Sequence, residues 1–131
     1  MKLTAARVFV TDLAAATRFY EGALGLRAGA SGPEGSYVVF EAGGVDLVVE
    51  HVPQGAPSEE QVLVGRFTGL SFSVKDIEAV CAALQEKCVA FTSLPERQAW
   101  GGTLATLRDP SGQGLRLWLH GNCTLLAGSV C

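Results

Sequence analysis

The clearest hydrophobic pattern lies between Ala99 and His120, where two runs of period-two alternation flank Asp109-Pro110-Ser111-Gly112. In that tetrad Asp109 can accept from the turn backbone, Pro110 presets φ at the second turn position and Gly112 tolerates positive φ, which predicts a β-hairpin. Along its second strand Leu115, Leu117 and Leu119 share one face, and Arg116, Trp118 and His120 the other. A face carrying a guanidinium, an indole and an imidazole is a poor partner for a helix. It is expected to look into a wet or ligand-filled concavity while the leucines meet the helices.

The rest of the chain follows the same grammar. Residues 3–10 alternate, with Ala6, Val8 and Val10 on one side and Ala5, Arg7 and Phe9 on the other. Thr11-Asp12 offers a helix N-cap, and Leu13, Ala16, Phe19, Tyr20, Ala23 and Leu24 recur at helical spacing until Gly25. Tyr20 reads as core. A Gly/Ser/Pro-rich connection from Gly29 to Gly35 leads to two strands, Ser36 to Glu41 and Val45 to Val52, joined by Ala42-Gly43-Gly44. In the second of these, Asp46, Val48 and Glu50 fall together. Pro53, Gly55 and Pro57 mark residues 53–66 as a linker.

The second half repeats the first. Val10-Thr11-Asp12-Leu13 returns as Val74-Lys75-Asp76-Ile77, and the helical positions follow, Ala16 with Val80, Tyr20 with Leu84, Leu24 with Cys88. Leu70, Phe72 and Val74 are expected to face the helix, and Gly69, Ser71 and Ser73 the other side. The helix from Asp76 to about Lys87 is expected to bury Ile77, Val80, Cys81 and Leu84. Two tandem βαβββ modules result, residues 3–52 and 67–120, in a single domain of the α+β class. Residues 121–131 carry no periodicity and form a tail.

Composition narrows the function. At 131 residues, 48% hydrophobic and 18% charged, the chain suits one well-cored domain. A net charge of −3 without a Lys/Arg cluster removes the electrostatic footprint of a nucleic-acid binder. No apolar run approaches the ~18 residues of a membrane span, and the first residues lack a signal-peptide core. A cytoplasmic protein with no membrane partner is expected. The four cysteines, Cys81, Cys88, Cys123 and Cys131, show no C-x-x-C spacing and read as free thiols, with Cys81 and Cys88 packed on one helix face.

Phe19-Tyr20-Glu21-Gly22-Ala23-Leu24-Gly25-Leu26 in the first half, and Ala99-Trp100-Gly101-Gly102 through Leu117 in the second, resemble the vicinal oxygen chelate superfamily. That group includes glyoxalase I, bleomycin-resistance proteins and extradiol dioxygenases. The resemblance implies that the modules curl into a curved, cup-shaped mixed sheet with helices outside, and that two chains pair as a homodimer with sites at the interface. It also implies four metal-ligand positions, which in register are Ala5, Gly69, Arg116 and Val48, with Glu50 two residues on. Alanine, glycine and valine side chains have no donor atom, and arginine has no lone pair to give. Glu50, His51 and His120 make a poor substitute, because Glu50 and His51 project to opposite sides of their strand. No metal or other cofactor is therefore expected, and no catalytic residue.

The Trp-Gly-Gly-Thr hairpin and final Leu-Arg-Leu are similar to the metal-free bleomycin-resistance branch, whose members sequester a cationic drug. A metal-independent protein binding a cationic or aromatic small molecule is the reading this favours. The candidate contacts are Arg7, Phe9, Glu50, Trp100, Arg116 and Trp118. Tryptophan faces attract cations, Glu50 and Asp46 are anionic anchors, and Arg7 and Arg116 can meet a ligand carboxylate or an internal Glu50 or Asp46. Ser71 and Ser73 have no neighbouring base and read as small polar liners. An enzyme of the same superfamily (a lyase, isomerase or dioxygenase) and a module that binds no ligand are the alternatives.

Overall fold

The computed structural model describes residues 1–119 and divides them into two compact units, the first Met1–Thr68 with Asp109–Gln113, the second the remainder from Gly69. His120 and the 121–131 tail lie outside the described residues.

In the first unit β1 (Ala5–Val10) leads to a helix whose N-cap is Asp12, its carboxylate accepting from the Ala15 N–H at 3.0 Å. That helix, α1 (Leu13–Thr17), widens into a π-helical turn over Arg18–Ala23, with the Leu24 N–H donating to the Phe19 carbonyl. The sequence periodicity does not reveal this widening. Phe19 and Tyr20 are both buried here, and their rings meet edge to face with centroids 4.9 Å apart.

Three strands complete the sheet, β2 (Arg27–Ser31), β3 (Tyr37–Ala42) and β4 (Val45–His51), in the order β1-β4-β3-β2. β1 runs parallel to β4, and the other pairs are antiparallel. Part of the expected Gly29–Gly35 connection is thus strand. Arg27-Ala28-Gly29-Ala30-Ser31 offers no large apolar residue to alternate, and its pairing with β3 is irregular between Ala28 and Ser31. The core collects Val8, Val10, Ala16, Tyr20, Phe40, Leu47 and Val49.

Val52, which follows β4, is buried, its N–H bonded to the Val10 carbonyl at 2.8 Å. Within residues 53–66 a short helix, α2 (Ser58–Gln61), follows Pro57.

In the second unit β5 (Phe67–Ser73) is followed by α3 (Ile77–Glu86), whose cap Asp76 accepts from the Ala79 N–H at 3.1 Å. β6 (Ala90–Arg97), β7 (Thr103–Arg108) and β8 (Gly114–Leu119) give the order β5-β8-β7-β6, the same as the first sheet. The first two residues of β5, Phe67 and Thr68, fall in the first unit. Ile77, Cys81 and Leu84 are buried, but Val80 is only half-buried. Cys88 departs further from expectation. It is the residue after the Lys87 cap, with φ of 61°, and is exposed, because the left-handed backbone there turns the chain out of the helix that would have carried it onto the Cys81 face.

The Asp109 turn forms as its chemistry predicts. Asp109 Oδ1 accepts from the Ser111 N–H at 2.8 Å and the Gln113 N–H at 2.9 Å, and Gly112 takes φ of 85°. Its other oxygen has a role that the local sequence does not show. Oδ2 accepts from the Tyr20 hydroxyl at 2.7 Å, both residues being buried, so the turn is part of the first unit's core. Burial, followed by the Asp109 charge and its hydrogen bond, raises the Tyr20 hydroxyl well above the usual phenol range.

Candidate functional site

Alternation along β1 sends Val8 and Val10 into the core and leaves Ala5, Arg7 and Phe9 on the opposite face. Parallel pairing sets Arg7 against Val48 and Phe9 against Glu50, and the antiparallel pairing of β3 sets Tyr37 against Glu50 and Glu41 against Asp46. One open face therefore carries Phe9, Glu50 and Tyr37 in a row, with Arg7, Val48 and Val39 beside it. Arg7 Nη1 lies 3.1 Å from Glu50 Oε1, one of the internal pairings the sequence left open, and the two side chains stay 51% and 32% exposed. Arg27 Nη2 pairs with Glu41 Oε2 at 2.7 Å on the sheet edge.

At the end of this face Phe9, Glu50, His51, Val52 and Glu60 line a cavity of about 230 Å³. His51 was expected to be faced away from Glu50. It borders the same cavity because β4 ends there and the chain turns toward α2. Glu60 went unnoticed because its helix is a single turn inside a Pro/Gly-punctuated stretch. The acid-rich opening Ser58-Glu59-Glu60 after Pro57 was the available signal.

In the second unit β8 behaves as its alternation predicts, with Leu115 and Leu117 buried and Arg116 and Trp118 half-buried on the other face. Register places Arg116 opposite Thr106 and Trp118 opposite Leu104. Trp100, in the β6–β7 connection and 54% exposed, brings its ring within 6.1 Å of Trp118, edge to face. The Trp-Gly-Gly sequence has a direct cause here. A Cβ on Gly102 would overlap the Trp100 ring, so only glycine lets the indole lie down against the backbone.

The six candidate residues thus form two clusters, Arg7, Phe9 and Glu50 in the first unit and Trp100, Arg116 and Trp118 in the second. Ser71 Oγ is satisfied by the Gly69 carbonyl at 3.0 Å. Of the inherited metal positions, Ala5 and Gly69 are exposed, Val48 sits mid-sheet opposite Val39, and Arg116 opposes Thr106. That donor set does not fit a divalent cation. Among the described residues no group of three His, Cys, Asp or Glu side chains is placed to hold a metal.

With this geometry in view, the comparisons with known proteins are specific. The model of the Glyoxalase/Bleomycin resistance protein/Dioxygenase superfamily matches residues 2–117, and the chain belongs to that superfamily. No curated protein matches it in sequence. Among solved structures, a member of the same superfamily from Sphaerobacter thermophilus is 26% identical with a TM-score of 0.73, covering 92% of this chain and 98% of its own. TnmS3, an antibiotic binding protein from a Streptomyces species, is 27% identical with a TM-score of 0.73, covering 91% and 95%. A lactoylglutathione lyase from Agrobacterium tumefaciens shares the fold, at 20% identity and a TM-score of 0.73 over 90% and 92%.

Proposed function

We propose that this protein binds a small cationic or aromatic molecule without a metal and without chemistry, as a homodimer of the bleomycin-resistance kind. The observation that carries this reading is the cavity where Glu50 and Glu60 meet the Phe9 ring. Two carboxylates and the His51 imidazole border it and Arg7 engages Glu50, so among the described residues the Glu60 carboxylate adds negative charge beside the Phe9 ring. A positive group gains there both from the charge and from the ring face, the latter worth about 0.5–2 kcal/mol. The second unit carries an aromatic surface of its own, the Trp100–Trp118 pair, with Arg116 on the Trp118 face of β8. The likeness to an antibiotic binding protein supports a binding role, and the missing donors at Ala5, Gly69, Val48 and Arg116 argue against metal-assisted catalysis.

The test is a thermal-shift screen of cationic, aromatic and neutral compounds, each run with and without chelator. Ligand at a hundred times its dissociation constant adds roughly 2.7 kcal/mol of stability. Cationic aromatic hits unaffected by chelator are expected. Silence across the set, or stabilisation that a chelator abolishes, overturns the reading.

A further inference from the structure

A second, larger cavity adjoins the first, and no candidate residue lines it. It measures about 580 Å³ and is bordered by Thr11, Val52, Pro53, Gln54, Gln61 and Val64. Val52 borders both cavities, buried and held to β1 by its N–H bond to Val10. α2 serves both as well, Glu60 bordering the small cavity and Gln61 the large one. The wall is a built structure, because Gln61 Nε2 donates to the Gln54 carbonyl at 3.1 Å and to the Ala56 carbonyl, 2.6 Å away. Those two bonds use the Gln61 amide nitrogen and leave its oxygen to accept.

The two cavities differ in chemistry. Both carboxylates, the imidazole and the aromatic ring border the small one. Among the described residues the large one is lined by two carboxamides, a hydroxyl and the apolar Val52, Pro53 and Val64, with no charged side chain. A neutral lining of this kind disfavours an ion, which would give up hydration without a countercharge, and suits hydrocarbon with amide or hydroxyl groups.

We infer that the segment from Val52 to Val64 builds the second half of a two-part site, taking an elongated ligand with a basic group at one end and a neutral, amide-bearing body at the other. This rests on the cationic reading above, and names Thr11, Gln54, Gln61 and Val64 as further binding residues. Val52 marks the boundary, so ligand length decides whether both halves are filled.

Three probes test it by NMR and calorimetry: hexylammonium, N-hexylacetamide and N-acetyl-1,6-diaminohexane. The two-part probe should bind at least ~10-fold more tightly than either one-part probe, about one decade of dissociation constant. It should shift the side-chain amide resonances of Gln54 and Gln61, as N-hexylacetamide does and hexylammonium does not. Val64→Trp, which fills the large cavity, should reduce the two-part probe to the affinity of hexylammonium, and Glu60→Gln should reduce it to that of N-hexylacetamide. If hexylammonium binds but the acetylated probe binds no better and leaves Gln54 and Gln61 unmoved, the second half is wrong and the cationic reading stands. If N-hexylacetamide shifts the Gln resonances while neither cation binds, the cationic reading fails and the two-part ligand with it. The NMR footprint uses the unaltered protein, so a Val64→Trp chain that does not fold leaves the inference open to refutation.

Discussion

The two units are copies of one module built to different ends. Each has the same strand order, an aspartate cap at the start of its helix, and a face of alternate residues turned away from that helix. They differ in what that face carries. In the first, Arg7, Glu50, Asp46 and Glu41 make it charged, and the cavities open beside it at Val52. In the second, Trp100 and Trp118 form an aromatic pair over glycine backbone. Strand pairing depends on main-chain bonds and on the buried residues of the helix side, so the other face is free to diverge without cost to the fold. The two copies share the pattern of their cores, and they differ on the face the core does not use.

The largest effect expected from breaking this comparison lies in a feature present in one copy alone. Asp109→Ala removes the acceptor for the Tyr20 hydroxyl and for the Ser111 and Gln113 N–H groups in a buried setting. It should cost about 3 kcal/mol or more by chemical denaturation. Tyr20→Phe is milder, about 1–3 kcal/mol, and changes the pH profile. The Tyr20 hydroxyl is raised in the folded state, so the folded protein holds that proton more tightly than the unfolded chain. Its contribution is complete below the ordinary tyrosine range near pH ~10 and is lost as pH climbs above it. Stability measured from neutral to strongly alkaline pH should fall at the top of that range, and Tyr20→Phe should remove this part of the fall.

Gly102→Ala tests the aromatic face. Its methyl group displaces the half-exposed Trp100 ring, with an expected cost of about 1 kcal/mol, the low end of the overpacking range, and a shift in tryptophan emission as the contact with Trp118 opens. Unchanged emission would show that the indole does not rest on that glycine. The shared feature should respond alike in both copies. Asp12→Ala and Asp76→Ala are each expected to cost about 1 kcal/mol, since each removes one side-chain bond to a helix N-terminal N–H. Smallest in stability is Glu50→Gln, within about 0–1 kcal/mol because the pair with Arg7 is half open to water. Cation affinity should nevertheless fall severalfold by titration calorimetry, separating a binding role from a structural one.

How far the sequence discloses this molecule depends on the kind of signal each part leaves. The hairpin was legible because Asp-Pro-Ser-Gly and alternating leucines state turn and register locally, and both caps because Val-x-Asp-Leu/Ile repeats. β2 was illegible, its residues being too small to show a buried face and its order coming from β3. The tie from Tyr20 to Asp109 joins residues far apart in the chain, and neither end advertises the other. Cys88 misled because helical spacing was continued past a helix that ends at its cap, Lys87. Cys81 remains core, its thiol raised by burial and then by the Glu78 charge. At the proposed site, the strand-borne residues Arg7, Phe9 and Glu50 could be read from alternation. Glu60 and Gln61 could not, because a one-turn helix between prolines has no period of its own.

The most direct test is a crystal structure with a cationic compound bound. Its basic nitrogen should lie within hydrogen-bonding distance of the Glu50 or Glu60 carboxylate, against the Phe9 ring, with no metal nearby. A ligand seated away from both carboxylates, or a metal ion coordinated on the open face of either sheet, would contradict it.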